Sequence, residues 1–224
     1  MIKFHISNDI LLSYSSGTLD EASSLLVATH LALCPHCRGR NALADSLGGY
    51  LLDSLEAVPV SDGLINDVLA RVRREPSPTE SDQKADQHVA QADNAADPVI
   101  PEPLRGYLGG DLDGLPWKRL APRIQQIQIA TADERSQARL LRFQSGLRVP
   151  SHGHNGRELT LVLAGSLCDR DAVLHRGDIA ESDERTEHQP YAGPGEDCIC
   201  LAVTDAPLRF KSMFARLLQP LFGI

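Results

Sequence analysis

The chain has 224 residues, 42% of them hydrophobic, and a formal net charge of −8 at pH 7. That length admits one large domain or two small ones, and no apolar run approaches the roughly 18 residues that a bilayer-spanning helix needs. The acidity is local: residues 75–103 carry seven acidic side chains and one basic, residues 1–74 carry eight and six, and residues 104–224 carry fifteen of each. No domain is basic, so direct nucleic-acid binding, which depends on Lys and Arg at phosphates, is disfavoured. The N-terminus MIKFHISNDI has no basic region followed by an apolar core, which predicts a cytoplasmic protein without membrane attachment. The cysteines, Cys34, Cys37, Cys168, Cys198 and Cys200, are odd in number and two form a CxxC. In a reducing compartment that usage points to metal or redox chemistry and away from structural disulfides.

Asp9–Ser15 predicts a short helix with Ile10, Leu11 and Tyr14 on its apolar side, ended by Gly17. Thr18 followed by Glu21 reads as a capping box opening a second helix that carries Leu25, Leu26 and Leu33. Pro35 suits the first turn of a third helix running toward Leu55, with Leu43, Leu47, Tyr50 and Leu51 on one stripe. Ser61 can cap a fourth helix with Leu64, Ile65, Val68, Leu69 and Val72 at helical spacing. A helical unit of about 70 residues is close to the size at which a core alone is marginal, so a structural metal would stabilise it.

Residues 75–103 are rich in Pro, Asp, Gln and Ala, and read as a flexible acidic linker that cannot bury enough surface to offset its ordering. Beyond it the apolar period becomes two. Segments 124–130, 138–143, 158–165 and 198–203 read as strands separated by turns, which indicates a sandwich or barrel. The stretch FKSMFARLLQPLF reads as a terminal amphipathic helix or tail. The expected architecture is multidomain: an all-α unit over 1–74, the linker over 75–103, and an all-β domain over 104–224.

Two constellations carry chemistry. In GLRVPSHGHNGRELTLVLAG, His152 and His154 are two apart and share one face of a strand. Glu158 follows an Asn-Gly turn, and His188 in TEHQP supplies a fourth ligand. Three imidazoles and a carboxylate suit Zn, Fe, Mn or Ni. In HLALCPHC, His30 and Cys34 lie on one helix face, and Cys37 sits in the first turn of the next helix, where the positive dipole end favours a thiolate. Two thiolates and an imidazole make a zinc site that needs a fourth ligand from His5, His36 or a carboxylate. A thioredoxin-like pair is disfavoured because no βαβ pattern surrounds it, and a DNA-reading finger because there is no basic face. Cys198 and Cys200 alternate on a strand and read as small buried hydrophobes, with Cys168 in the core.

The spacing from Gly146 through His152, His154 and Glu158 to Gly165 resembles the first cupin motif, and Gly177 to His188 matches the second in spacing. Asp183 and Arg185 stand where Pro and Gly are usual, and Ala192 where Asn is common. This resemblance covers about residues 115–205 and implies a cupin barrel. HxxxCxxC between two helices, with a His upstream, resembles the zinc-binding anti-sigma domain; together the two halves resemble the ChrR type of anti-sigma factor. The resemblance implies zinc on His5, His30, Cys34 and Cys37, and a second metal on the four cupin residues. It also implies a one-to-one partner, an extracytoplasmic-function sigma factor, released when the cupin senses singlet oxygen or organic hydroperoxides. The alternative is a cupin metalloenzyme, a dioxygenase or hydrolase with an accessory zinc domain, since one site type serves many chemistries.

Overall fold

A computed structural model describes residues 1–74, 98–133 and 135–210. Residues 75–97 of the expected linker and 211–222 of the expected terminal helix lie outside the described residues.

Helix α1 (Asn8–Ser15) ends as Gly17 predicts. With φ at 69°, Gly17 lets its N–H bond Tyr14 O at 3.0 Å and the Thr18 N–H bond Ser13 O at 2.9 Å, the paired closure of a Schellman motif. Helix α2 (Glu21–Leu33) is not opened by the predicted capping box: its cap is Asp20, whose carboxylate accepts the Ser23 N–H at 2.9 Å. Thr18 instead turns its hydroxyl back onto Ser13 O. The helix stops where Pro35 cannot continue it, and helix α3 (Pro35–Asp53) starts at that proline. Helix α4 spans Leu64–Arg74, and a further helix α5 spans Glu102–Leu108, where the acidic linker was expected to end. Gly109, at φ 75°, closes α5 on Arg105 O.

Among the described residues twelve strands follow, and every pairing between them is antiparallel. The six-stranded sheet runs β1 (Lys118–Ala121), β2 (Ile124–Ile129), β3 (Gln137–Phe143), β11 (Cys198–Thr204), β5 (Glu158–Ala164) and β8 (Ile179–Ser182). Two three-stranded sheets complete the domain: β10 (Tyr191–Ala192), β6 (Ser166–Asp169) and β7 (Ala172–His175); and β12 (Leu208–Phe210), β4 (His152–His154) and β9 (Glu187–His188). The expected closed barrel is therefore open: among the described residues the three sheets bond internally and do not join into one ring.

Strands β5 and β11 are buried along almost their whole length because both sheet faces are covered. Leu159, Leu161, Leu201 and Val203 pack with Leu26 of α2 and Leu104 of α5 in one core. Val162, Cys198 and Cys200 point the other way, toward Phe143 and Leu167. The described residues form two compact units, Met1–Gly48 with those from Val99 onward, and Gly49–Pro98. The predicted stripe on α3 is not core: Leu43, Leu47, Tyr50 and Leu51 are exposed, and Cys37 is the one buried residue of that helix. No helix among the described residues is long and apolar enough to cross a membrane.

Because Leu26 is fully buried in a core that helix and sheet share, Leu26→Ala is expected to cost about 2–5 kcal/mol. Denaturant unfolding read by far-UV dichroism and by Trp117 fluorescence should show one transition, shifted equally in both signals. A shift confined to the helical signal would mean that the core is not shared.

Candidate metal centres

The first centre forms where α2 meets α3. His30 lies in the last turn of α2, Cys34 at its C-cap and Cys37 in the first turn of α3, while His5 comes from the extended segment before α1. One donor atom from each of these four lies within 4.8 Å of every other. His5 Nδ1 is 3.4 Å from Cys34 Sγ and 3.6 Å from Cys37 Sγ. A tetrahedral ion at about 2.3 Å from sulfur and 2.0 Å from nitrogen would set such edges near 3.5 Å. Cys34 Sγ accepts the Cys37 N–H, and the Arg40 guanidinium reaches Cys37 Sγ and Ile6 O. His36 stacks on His5 with ring centroids 4.7 Å apart and stands outside the donor group.

His30 is fully buried, and burial lowers its pKa to about 4, so the ring is neutral. A carbonyl can only accept, so the 2.9 Å contact to Gly177 O places the proton on Nδ1. Nε2 then carries a lone pair into the cluster, buried and with no hydrogen-bond partner. The Cys37 thiol is pushed up by burial, and next by the hydrogen bond with Cys34. Burial thus opposes the helix dipole's preference for a thiolate at Cys37, and a bound cation would restore it. An orphaned imidazole nitrogen beside two thiol sulfurs fits a metal.

The second centre sits on β4 and β9. These strands pair His152 with His188, and the two-residue step on β4 brings His154 to the same side. His188 Nε2 is 3.0 Å from His152 Nε2 and 3.2 Å from His154 Nε2. His188 donates Nδ1–H to Asp169 at 2.8 Å, and His152 donates Nδ1–H to Pro150 O at 2.8 Å, so both Nε2 atoms converge as lone pairs. Burial lowers the pKa of His152, and burial followed by repulsion from His152 lowers that of His154 to about 4. Glu158 stands outside the group of three rings, at 3.6 Å from His154 Nδ1, which is buried without a hydrogen-bond partner. Burial raises the Glu158 pKa against the hydrogen bond from Thr160.

A cavity of about 90 Å³ adjoins the rings, lined by His152, Glu158, Thr160, Arg139, Phe143 and Cys200 among others. The Cys198 thiol, burial and Glu158 together push the Cys200 thiol well up, so it stays protonated. The turn before His188 forms without the usual Pro and Gly. Asp183 accepts the Arg185 N–H at 3.0 Å and the Thr186 hydroxyl at 2.9 Å, and Arg185 needs no left-handed backbone. Sequence reasoning missed Asp169, Thr160 and the carbonyls of Pro150 and Gly177; only the two side chains left any trace in the sequence, as unremarkable polar residues.

A helical cluster of two cysteines and two histidines, joined to a cupin-like β domain with its own histidine cluster, defines a two-centre protein. Residues 108–207 match the family model described as the ChrR cupin-like domain. The whole chain is 42% identical over 226 residues to the Anti-sigma-E factor ChrR of Cereibacter sphaeroides, covering 100% of this chain and 99% of that one. It is also similar, with a TM-score of 0.76 and 40% identity over 91% of this chain and 100% of that chain, to one in the crystal structure of Rhodobacter sphaeroides SigE in complex with the anti-sigma ChrR. The chain belongs to the ChrR family.

The histidines set a pH dependence for the metal-stripped protein. His30 and His154 have folded pKa values of about 4 against an ordinary value of 6.5, so below pH 6.5 the unfolded state binds more protons. Their contribution to stability is complete above pH 6.5 and is lost as pH falls to about 4. Urea midpoints taken across that window should fall with pH, and more gently in His154→Gln. Midpoints that rise on acidification would contradict the burial argument.

Proposed function

We propose that this protein is a cytoplasmic anti-sigma factor that binds one extracytoplasmic-function sigma factor and keeps it from RNA polymerase. Residues 1–74 form the clamp, organised by zinc on His5, His30, Cys34 and Cys37. Residues 104–224 receive the signal, with Zn, Fe, Mn or Ni on His152, His154, Glu158 and His188. Oxidative stress, as singlet oxygen or organic hydroperoxide, acts at the second centre and triggers release. Bound metal would ionise the thiols and fix the rings; the chain's own residues supply the burial, the tautomers and the orientation.

One observation carries this reading: the 42% identity spans the helices as well as the β domain, in a relative named as an anti-sigma factor. The metalloenzyme alternative gives no role to that helical half. The exposed side chains add support. Helix α4 turns Leu64, Ile65, Val68, Leu69 and Val72 to solvent, and α3 adds Leu47, Tyr50 and Leu51. A run of exposed apolar side chains on one helix, as on α4, is the kind of surface that a protein partner covers.

Co-expression with candidate sigma factors, followed by affinity capture and metal counting, tests the reading. Capture of one sigma chain per protein is expected; failure to capture any with zinc bound would end the proposal. Ile65→Asp with Leu69→Asp should weaken capture about tenfold or more and leave the metal content unchanged. Cys34→Ser should abolish capture by unfolding the clamp. His152→Ala should leave capture intact and blunt release by hydroperoxide.

A further inference from the structure

We propose that Gly177 and Asp178, which belong to the β domain, are positioning residues for the helical metal cluster. The inference rests on reading His5, His30, Cys34 and Cys37 as a metal site. Two of those four donors are oriented from outside the helices, by consecutive residues of the turn that leads into β8.

The Gly177 carbonyl accepts the Nδ1–H of His30 at 2.9 Å, the one hydrogen bond that aims the buried ring. Asp178, 1% exposed, accepts the N–H groups of Lys3 at 2.6 Å and Phe4 at 3.0 Å through Oδ1, and that of His175 at 2.8 Å through Oδ2. The Ile179 N–H bonds Phe4 O at 3.2 Å, and the Ser7 N–H bonds Glu181 at 2.7 Å. His5 is thus bracketed on both sides by backbone bonds to this one stretch. Gly177 has φ at 89°, which favours glycine, and a Cβ there would lie 2.5 Å from Ile2 Cδ1, so a side chain would have to displace that of Ile2.

The stretch is itself anchored in the sheet. The Gly177 N–H bonds Val162 O at 2.8 Å, and the Val162 N–H bonds Asp178 O at 3.1 Å. β8 then pairs Ser182 with Glu158 beside the second centre. A cavity of about 450 Å³ is lined by Phe4 on one side and by Glu158, Glu181 and His188 on the other. The residue next to His5 therefore shares a cavity with two candidate ligands of the other centre.

The test uses the full chain loaded with cobalt(II), whose charge-transfer absorption with thiolates reports the Cys34 and Cys37 site separately from the imidazole site. In Asp178→Ala, removal of cobalt by a chelator should reflect a 10- to 100-fold lower affinity, the usual cost of losing an outer-shell partner. Asp178→Asn, which keeps one acceptor, should fall between. Amide exchange at Lys3 and Phe4 should accelerate by a comparable factor, while β5 and β11 remain protected. Unchanged cobalt retention would overturn the inference, as would protection lost throughout β5 and β11, which would make Asp178 a folding residue of the β domain alone. If the parent chain gives no thiolate band, the metal reading falls and this inference with it; a band insensitive to Asp178 removes only the inference.

Discussion

A buried imidazole can offer a lone pair inward only when its other nitrogen keeps a proton, and three rings in this protein meet that condition in one way. His30, His152 and His188 each donate Nδ1–H to a fixed oxygen, at Gly177, Pro150 and Asp169. Burial supplies the other half of the constraint by favouring the neutral ring at His30 and His152. The same desolvation pushes the Cys37 thiol up, and the Cys198 hydrogen bond followed by burial does so at Cys200. Both centres consequently place aimed ring nitrogens in buried surroundings, an arrangement suited to a cation. The oxygens that aim the rings come from turns and strand ends, so the geometry of each centre is only as good as the fold that holds those turns.

That dependence explains the thickness of the β domain. A sheet with one wet face would leave β5 and β11 alternating in polarity. Here their outer face is closed by α2 and α5 and their inner face by Phe143 and Leu167. Leu26, Leu104, Leu161 and Leu201 lie in one core, so the helix that carries His30 is fastened to the strands whose far ends reach Glu158. The helical cluster is accordingly not the product of helices alone. The half-turn between α2 and α3 sets the two cysteines, and the β domain sets the two histidines.

Much of this was legible in the sequence because the donors announce themselves. HxH on a strand, HxxxCxxC at a proline break and the glycines of the two cupin motifs each follow from a short local geometry. The long apolar runs of β5 and β11 and the cap at Gly17 were equally plain. What escaped was either short or carried by backbone. Strands of two to four residues such as β9 and β10 have no measurable period. Helix α5 is seven residues long and starts where a segment whose composition reads as linker ends. Asp178 looks in sequence like any acid in a turn, and a carbonyl such as that of Gly177 leaves no signature. The α3 stripe shows the opposite error, since helical periodicity identifies an apolar face without saying what covers it.

That uncovered face completes the physical argument. An isolated helix of about 11 residues is marginal in water, and α4 adds to this by presenting its apolar residues to solvent. The residues around the donors have the reverse character: Ile6, Ile10 and Leu26 are buried, and His30 of α2 is held by the Gly177 carbonyl of the β domain. Burial is thus concentrated around the two donor sets, while the apolar residues of α4 stay exposed. On the proposed reading, the sigma factor would cover the exposed apolar residues of α4. The stretch from Gly177 to Ser182 bonds Lys3, Phe4 and His30 at one end and pairs with Glu158 at the other, so on that reading it connects the signal to the clamp.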